Sequence, residues 1–238
     1  MEHWKTQKLS DTFVEGVRGA IPLANEHIEM IYRIIRYFKP EFYSFLDLGC
    51  GDGILGKSLF QLQPQSKGIF ADYSEPMIRS AKQNVAGYLE QSAFYELDFE
   101  DESWIDSLPS PTQVDIVVSG FAIHHQNDQN KKRIYKKIHD RLLNEGGIFL
   151  NLDQVASSST DLEKLFDEYF LESMELSLRD NPTDTKIEDI QTGYYADKEL
   201  NKLAPVGKQL NWLEEIGFGH VDCYFKNMEL SLFGGIKK

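Results

Sequence analysis

The sequence predicts an α/β fold in which a doubly wound, mostly parallel seven-stranded sheet carries an antiparallel C-terminal edge hairpin and a small helical cap. Three observations lead to this prediction. Short apolar runs alternate with amphipathic helical patterns as far as residue 153, which is typical of βαβ units and of a sheet covered on both faces. A glycine-rich turn follows the first apolar run. The last two runs lie too close together for a parallel crossover and therefore predict a hairpin.

The predicted core begins with a helix and contains five strands. Apolar residues recur at helical spacing over 24–38, and Pro40 ends the pattern. Three further helical patterns follow over 55–62, 78–89 and 134–142. The strands are predicted at 43–48, 68–71, 93–97, 114–119 and 148–152.

The C-terminal part of the predicted sheet follows one more helix. Pro205 begins this helix and Gly217 ends it. The hairpin strands are predicted at 221–225 and 228–233, with the turn at Lys226-Asn227. Right-handed crossovers bring the carboxyl ends of parallel strands to one rim, and ligands bind at that rim in open α/β sheets. The informative loops are therefore those that follow the five core strands.

Composition limits the partners that we expect. The chain of 238 residues has a net charge of −13, from 25 basic and 38 acidic residues, so a phosphate backbone would be repelled and nucleic acid is not expected as a substrate. No apolar run approaches membrane-spanning length, so no membrane association is expected. The two cysteines form no paired motif, which favours a reducing, cytoplasmic location.

The glycine-rich stretch FLDLGCGDGILGKSL can be interpreted in two ways. From Gly51 to Gly56 it matches G-x-G-x-x-G, the dinucleotide motif that holds a pyrophosphate at a helix N-terminus. However, Asp47 and Asp52 flank this turn, and two carboxylates would repel a pyrophosphate. An acidic glycine loop better suits a ligand with a cationic, amino-acid-like end.

At this point the sequence resembles the class I S-adenosylmethionine-dependent methyltransferases, which have a Rossmann-like fold. The resemblance covers residues 43–153 and the C-terminal hairpin. FLDLGCGDG is similar to the first motif of that family, whose loop lies under the methionine part of the cofactor. The resemblance implies cofactor-binding roles for Asp47, Gly49, Cys50, Gly51 and Gly53.

The later loops carry the remaining family motifs. Asp72 ends the second strand, where a carboxylate accepts hydrogen bonds from ribose hydroxyls in either cofactor class. The resemblance implies that Asp98 accepts from the adenine amino group and that a backbone carbonyl at Ser119-Gly120 receives the cofactor ammonium. The remaining residues predicted to contact the adenine are Tyr73, Met77 and Phe99.

The sequence pattern divides the predicted single domain into four segments. The segments are an N-terminal lid (1–22), a cofactor-binding core (23–153), a helical cap inserted at 154–204, and a C-terminal helix with the edge hairpin (205–238). The lid and the cap would close over a small-molecule methyl acceptor and exclude water from it. Candidate acceptor contacts within them are Arg18, Tyr194 and Tyr195.

The expected reaction is an in-line displacement at the methyl carbon, for which the protein mainly positions the acceptor. His124 and His125 follow the fourth strand, so either could remove the proton of the acceptor. Two adjacent histidines alone do not predict a metal site, and none is expected. The fourth motif reads SGFA rather than the D/N/S-P-P-aromatic signature of nucleic-acid amino-methyltransferases, which favours a small-molecule acceptor.

Two alternative functions stay open on this sequence. One is an NAD(P)-dependent oxidoreductase that uses the Gly51–Gly56 motif, although no Tyr-x-x-x-Lys signature accompanies that motif. The other is a non-catalytic, S-adenosylmethionine-binding regulatory protein, which intact cofactor motifs do not exclude.

Overall fold

A computed structural model describes residues 21–109, 112–180 and 187–238. Within these ranges, the strands form one seven-stranded sheet in the order β3-β2-β1-β4-β5-β7-β6. Strands β1 to β5 pair in parallel, and β7 is antiparallel to both β5 and β6. The Rossmann-like, doubly wound fold is therefore confirmed. The strands are β1 (Ser44–Leu48), β2 (Lys67–Asp72), β3 (Ser92–Glu96), β4 (Val114–Gly120), β5 (Leu143–Gln154), β6 (Phe218–Asn227) and β7 (Leu230–Lys237).

The C-terminal hairpin forms at the edge of the sheet as predicted, but its turn differs from the prediction. The turn lies at Met228-Glu229 rather than at Lys226-Asn227, because Asn227 still pairs with Leu230. Met228 adopts the left-handed conformation that this two-residue turn requires (φ 54°). Strand β7 lies inside the sheet between β5 and β6, so β6 alone forms this edge.

Strand β5 begins earlier than predicted, because a bulge at residues 144–147 lets its pairing with β4 extend back to Leu143. Leu143 pairs with Val114, and pairing resumes where Ile148 meets Ile116. Gly146 adopts a positive φ of 70° within this bulge, which a glycine adopts without steric cost.

Helices cover both faces of the sheet. Along β4, Val117 packs in a cluster with residues of α4 and α7, whereas Ile116 and Val118 pack in a second cluster with residues of α1, α2 and α3. This alternation is the two-residue period of a strand that is buried on both faces. The helices are α1 (Ala24–Phe38), α2 (Ile54–Leu62), α3 (Glu75–Asn84), α4 (Asp128–Lys137), α5 (Thr160–Asp180), α6 (Ile187–Lys198) and α7 (Val206–Ile216).

Two of these helices, α5 and α6, lie in the segment that we call the cap (residues 154–204). They pack over Leu230 through a small apolar cluster that includes Phe166, Phe170, Met174 and Ile190. In the sequence, apolar residues recur at helical spacing over 162–174 and predict α5. No such pattern marks α6, because Ile190 is the only fully buried side chain of that helix. None of the described helices is both long enough and apolar enough to cross a membrane.

Gly56 makes the close contact between α2 and β2. A Cβ added at Gly56 would lie 2.2 Å from Cε1 of Phe70, and the Gly56 N–H donates to Oδ2 of Asp47 (2.8 Å). The third glycine of the G-x-G-x-x-G match therefore serves helix packing.

We expect Gly56→Ala to lower the free energy of unfolding by about 1–3 kcal/mol, because the rigid Phe70 ring must move to admit a methyl group. Urea unfolding measures this change. Gly87→Ala is the matched control, since an added Cβ there meets no atom within 4 Å, and its effect should stay within about 0.5 kcal/mol. Equal stability of the two variants would contradict the packing role of Gly56.

His27 is a fully buried ionisable group on α1. Its ring packs edge-on against Phe225 at 4.8 Å, and neither ring nitrogen has a hydrogen-bond partner among the described residues. Burial lowers the pKa of His27, and the nearby Glu26 opposes this shift only in part. The folded state therefore favours the neutral imidazole.

Because the folded pKa of His27 lies below its unfolded value, protonation favours the unfolded chain. The contribution of His27 to stability should be complete above about pH 6.5 and should decrease as the pH falls through the folded pKa. Thermal unfolding between pH 8 and pH 5 should show a steeper acid loss for the wild type than for His27→Leu. Parallel profiles would mean that His27 does not titrate differently in the two states.

Candidate active site

A cavity of about 200 Å³ opens at the carboxyl ends of the strands, between the core and the cap. Its floor comes from the loops after β1 to β4, and its roof comes from α5 and α6. The floor residues are Gly49, Gly51, Asp72, Tyr73, Met77, Asp98, Phe99 and Gly120. The cap contributes Phe166, Phe170, Met174, Ile190, Tyr194 and Asp197.

The turn at residues 49–53 presents its backbone to this cavity. Gly49, Gly51 and Gly53 all have positive φ values, of 70°, 52° and 77°. The N–H groups of Gly49 and Cys50 donate to the carbonyl of Ala71 (2.7 and 3.0 Å), which fixes the turn against the end of β2. A Cβ at Gly49 would lie 2.2 Å from that of Ala122, so this position has no room for a side chain. The turn is therefore a backbone cradle.

Asp72 ties two loops of the floor together. Its Oδ2 accepts from the Gly51 N–H and its Oδ1 accepts from the Ser74 N–H, both at 2.8 Å. Burial raises the pKa of Asp72, while the backbone hydrogen bonds, led by those of Ser74 and Gly51, oppose that shift. A carboxylate has about four acceptor positions, so Asp72 keeps acceptor capacity toward the cavity.

Four of the predicted cofactor residues lie behind the cavity wall rather than on it: Asp47, Cys50, Gly53 and Ser119. Asp47 is buried and accepts from the Gly56 N–H, and burial raises the pKa of its carboxyl to about 8. Ser119 Oγ donates to the Leu48 carbonyl (2.6 Å) and thereby joins β4 to β1. These side chains support the shape of the cradle instead of lining it.

Asp98 and Phe99 lie on the next loop of the floor. Asp98 Oδ1 accepts from the Glu100 N–H at 2.9 Å, which holds the loop in a tight turn. Phe99 is buried, and its ring lies 5.7 Å from that of Trp104. Gly120, which also lines the cavity, has little room for a side chain, because a Cβ there would lie 2.8 Å from Cδ1 of Leu55.

His124 forms a buried dyad with Asp153 at the boundary between the floor and the cap. His124 Nδ1 lies 2.5 Å from Asp153 Oδ1, and the two side chains are only 5% and 1% exposed. Asp153 also accepts from Asn151 Nδ2 (3.2 Å) and from the Gln154 N–H (3.1 Å). The carboxylate assigns the proton to Nδ1, which leaves the lone pair of His124 on Nε2.

His125 stacks beside this dyad, with 4.0 Å between the two imidazole centroids. Burial lowers the pKa of His125 to about 2, and the neighbouring His124 and Lys131 side chains add to that effect. His125 is therefore neutral at physiological pH. Lys131 lies beneath the histidine loop, where its ammonium donates to the carbonyls of His124 (3.3 Å), Gln126 and Lys202.

The predicted acceptor residues have different positions. Tyr194 lines the cavity, and its hydroxyl donates to Asp167 Oδ1 at 2.7 Å. Burial and the bond to Asp167 raise the pKa of Tyr194 far above its usual value. Tyr195 is 49% exposed and packs against Tyr194 outside the cavity lining. Arg18 lies outside the described residues.

Sequence reasoning missed two carboxylates of this site. Asp153 lies at the carboxyl end of β5, on the rim where ligands bind in open α/β sheets. Its position in the sequence therefore indicates a place in the site. Asp197 lies on α6, in a part of the chain with no predicted element. Only the folding of the cap over the core brings Asp197 to the cavity.

Comparison with known proteins adds three findings. A family model described as "Methyltransferase domain" matches residues 46–149. Carboxy-S-adenosyl-L-methionine synthase of Nautilia profundicola is 21% identical over 97% of this chain and 93% of its own length. Ribosomal RNA large subunit methyltransferase G of Shewanella woodyi is 56% identical over 48 residues, which are 20% of this chain and 12% of that protein.

The fold has relatives among solved structures as well. An O-methyltransferase family protein from Burkholderia thailandensis superposes with a TM-score of 0.66 at 13% identity, over 96% of this chain and 58% of that one. This chain therefore spans little more than half of that structure and a small part of the ribosomal RNA methyltransferase. The matched domain covers the glycine turn and the loops that carry the other motifs. Together these findings support a class I S-adenosylmethionine-dependent methyltransferase whose cofactor is S-adenosylmethionine.

Proposed function

We propose that this protein methylates a small, uncharged and largely apolar acceptor that binds under the cap, and that His124 receives the proton of that acceptor. One observation carries the proposal: a single cavity joins the glycine cradle to the His124–Asp153 dyad and to the apolar face of the cap. Bound cofactor supplies an electrophilic methyl group. The protein must hold the acceptor atom in line with the methyl group and remove the proton of the acceptor.

The cofactor half of the cavity fits the donor molecule. Gly49 and Gly51 offer a backbone surface without side chains, which suits the close approach of an amino-acid end. Asp72 keeps acceptor positions for two ribose hydroxyls, and Met77 is an apolar neighbour of the adenine position. In the family arrangement, Tyr73, Asp98, Phe99 and the backbone at Ser119-Gly120 complete the set.

The acceptor half of the cavity favours an uncharged molecule. Its walls are apolar at Phe166, Phe170, Met174 and Ile190. Its polar groups are imidazoles, amides, the Tyr194 hydroxyl and the Asp197 carboxylate. Within the described residues, no lysine or arginine lines the cavity. An anionic acceptor would enter this space without a counter-ion, which is costly in a low-dielectric site.

His124 is the group that we propose as proton acceptor. The Asp153 carboxylate orients its imidazole and would stabilise the imidazolium that forms when a hydroxyl of the acceptor loses its proton. His125 is a poor alternative, because burial lowers the pKa of His125 to about 2. We assign His125 to the wall of the site.

A second candidate activity is the synthesis of a carboxylated S-adenosylmethionine. The near full-length match to the Nautilia profundicola synthase favours it. The absence of a basic side chain from the described cavity lining counts against it, because a carboxylated product needs a cation partner. Mass spectrometry of the nucleoside products would show such a compound directly.

The test combines cofactor binding with acceptor capture. S-adenosylmethionine and its demethylated product should raise the melting temperature, whereas NAD(H) and NADP(H) should not. Incubation with methyl-labelled donor and a cell extract should then label the low-mass fraction. Label found only in RNA would overturn the small-molecule proposal, and a cofactor-stabilised protein that labels nothing would indicate a regulatory role.

A further inference from the structure

We propose that His124, His125 and Asp197 form a binding site for a divalent transition-metal ion, at the boundary between the floor and the cap of the acceptor pocket. This inference rests on the proposed function, because it assigns a partner to the same pocket. One ligand atom from each of the three side chains lies within 4.8 Å of the other two. All three residues line the cavity, so an ion held between them would face the acceptor.

The distances between the three ligand atoms would suit a bound ion after small movements of the side chains. Zinc-type ions hold nitrogen and oxygen ligands at about 2.0–2.2 Å, which places neighbouring ligand atoms roughly 3.0–3.5 Å apart. All three pairs of ligand atoms already lie within 4.8 Å, so small rotations of these side chains would supply the required approach. The two histidine rings are already adjacent, at 4.0 Å between centroids.

The surroundings of His124 are those of a metal ligand. Metal-binding histidines usually donate their second ring N–H to a carboxylate, which fixes the tautomer and raises the basicity of the ligating nitrogen. Asp153 fulfils this role, with 2.5 Å between its Oδ1 and Nδ1 of His124. Asp153 and Asp197 bring two carboxylates to the site, where the nearby cations include Lys131 beneath the loop and Lys202.

Contacts on both sides of Asp197 hold it in place. Lys198 binds Asp167 (2.6 Å) and Glu163 (2.8 Å), which fixes α6 against α5. Beyond α6, the Lys202 N–H donates to the His124 carbonyl at 3.1 Å. The cap is therefore joined to the histidine loop next to the proposed ligands, and the three side chains have a common rigid frame.

The ligand set indicates the class of metal. Two imidazoles and one carboxylate favour Zn²⁺, Fe²⁺, Co²⁺ or Mn²⁺ over Mg²⁺ and Ca²⁺, which prefer oxygen ligands alone. Three protein ligands leave coordination positions open for the acceptor. A hydroxyl bound there would have a lower pKa and would lose its proton to solvent, so His124 would act as a ligand instead of as the proton acceptor.

Metal binding can be measured without any acceptor. We would strip the full-length protein with EDTA and titrate it with Co²⁺, following the visible absorption of the ligated ion and the metal content after dialysis. We expect one equivalent of Co²⁺ and displacement of Co²⁺ by Zn²⁺ but not by Mg²⁺. Asp197→Asn and His125→Ala should lose the equivalent, and Asp153→Asn should bind about 10–100-fold more weakly.

The matched control is Asp189→Asn, which removes an exposed carboxylate from the same helix and should bind Co²⁺ like the wild type. Binding of S-adenosylmethionine to Asp197→Asn should be unchanged, which separates this site from the cofactor site. Absence of stoichiometric binding, or equal binding by Asp197→Asn and the wild type, would overturn the metal site. An EDTA-stripped protein that methylates at the full rate would overturn its role in the reaction and leave His124 as the proton acceptor.

Discussion

Replacing His124 with alanine is expected to lower kcat for methyl transfer by about 10²–10⁴-fold, the range lost when a positioned acid–base group is removed. His124 lines the cavity and is only 5% exposed, so water cannot readily replace its lone pair. Affinity for S-adenosylmethionine should remain close to that of the wild type, because the glycine cradle and Asp72 lie on other loops. Steady-state kinetics with the acceptor found by labelling, together with calorimetric cofactor binding, measure both quantities.

Two further variants make the His124 result specific. Asp153→Asn keeps the volume of the side chain but no longer fixes the proton on Nδ1, so kcat should fall although His124 is intact. His139→Ala is the matched control, because His139 also bonds an aspartate, Asp140 at 2.8 Å, but lies outside the cavity lining. If His124→Ala kept the wild-type kcat while folded, His124 would have no role in the reaction.

Replacing Asp72 with alanine is expected to weaken S-adenosylmethionine binding by about a hundredfold. Hydrogen bonds to a charged group contribute about 1.5–3 kcal/mol each, so loss of the ribose contacts alone corresponds to about this factor. The variant also frees the Gly51 N–H, which weakens the support of the cradle from β2. Because the reacting groups are unchanged, kcat at saturating cofactor should change much less than the dissociation constant.

Asp101→Ala is the matched control for Asp72→Ala. Asp101 also accepts the N–H of the residue two positions later, Ser103 at 2.7 Å, but it is exposed and lies outside the cavity lining. The dissociation constant of the Asp101→Ala protein for S-adenosylmethionine should match that of the wild type. Unchanged binding by a folded Asp72→Ala protein would show that the end of β2 does not hold the ribose.

Much of the core could be predicted because its signals are local. Apolar runs set β1 to β5, and the glycines at 49, 51 and 53 have the positive φ values that only glycine adopts readily. The turn at Met228-Glu229 could not be predicted, since its position depends on the pairing of Asn227 with Leu230 across the hairpin. Helix α6 was also missed, because a helix that buries one side chain lacks a periodic apolar face.

The sequence predicts which residues form the cradle, but it does not predict which of them face the cavity. Asp47 precedes the glycines and was assigned to the cofactor, yet it bonds the Gly56 N–H behind the cavity wall. Asp72 has a similar carboxylate and faces the cavity. Which of two nearby carboxylates reaches a ligand depends on how successive side chains of a strand alternate and on what packs behind them.

The sequence by itself determined the Rossmann-like sheet, the glycine cradle, the cofactor class and the position of the histidine pair on the rim. These features follow from hydrophobic periodicity and from short motifs, in which neighbours in space are also neighbours in the chain. Only the tertiary structure joined His124 to Asp153, 29 residues away, and brought Asp197 from the cap to the same point. That placement results from the packing of the cap on the core, a long-range contact that no local pattern records.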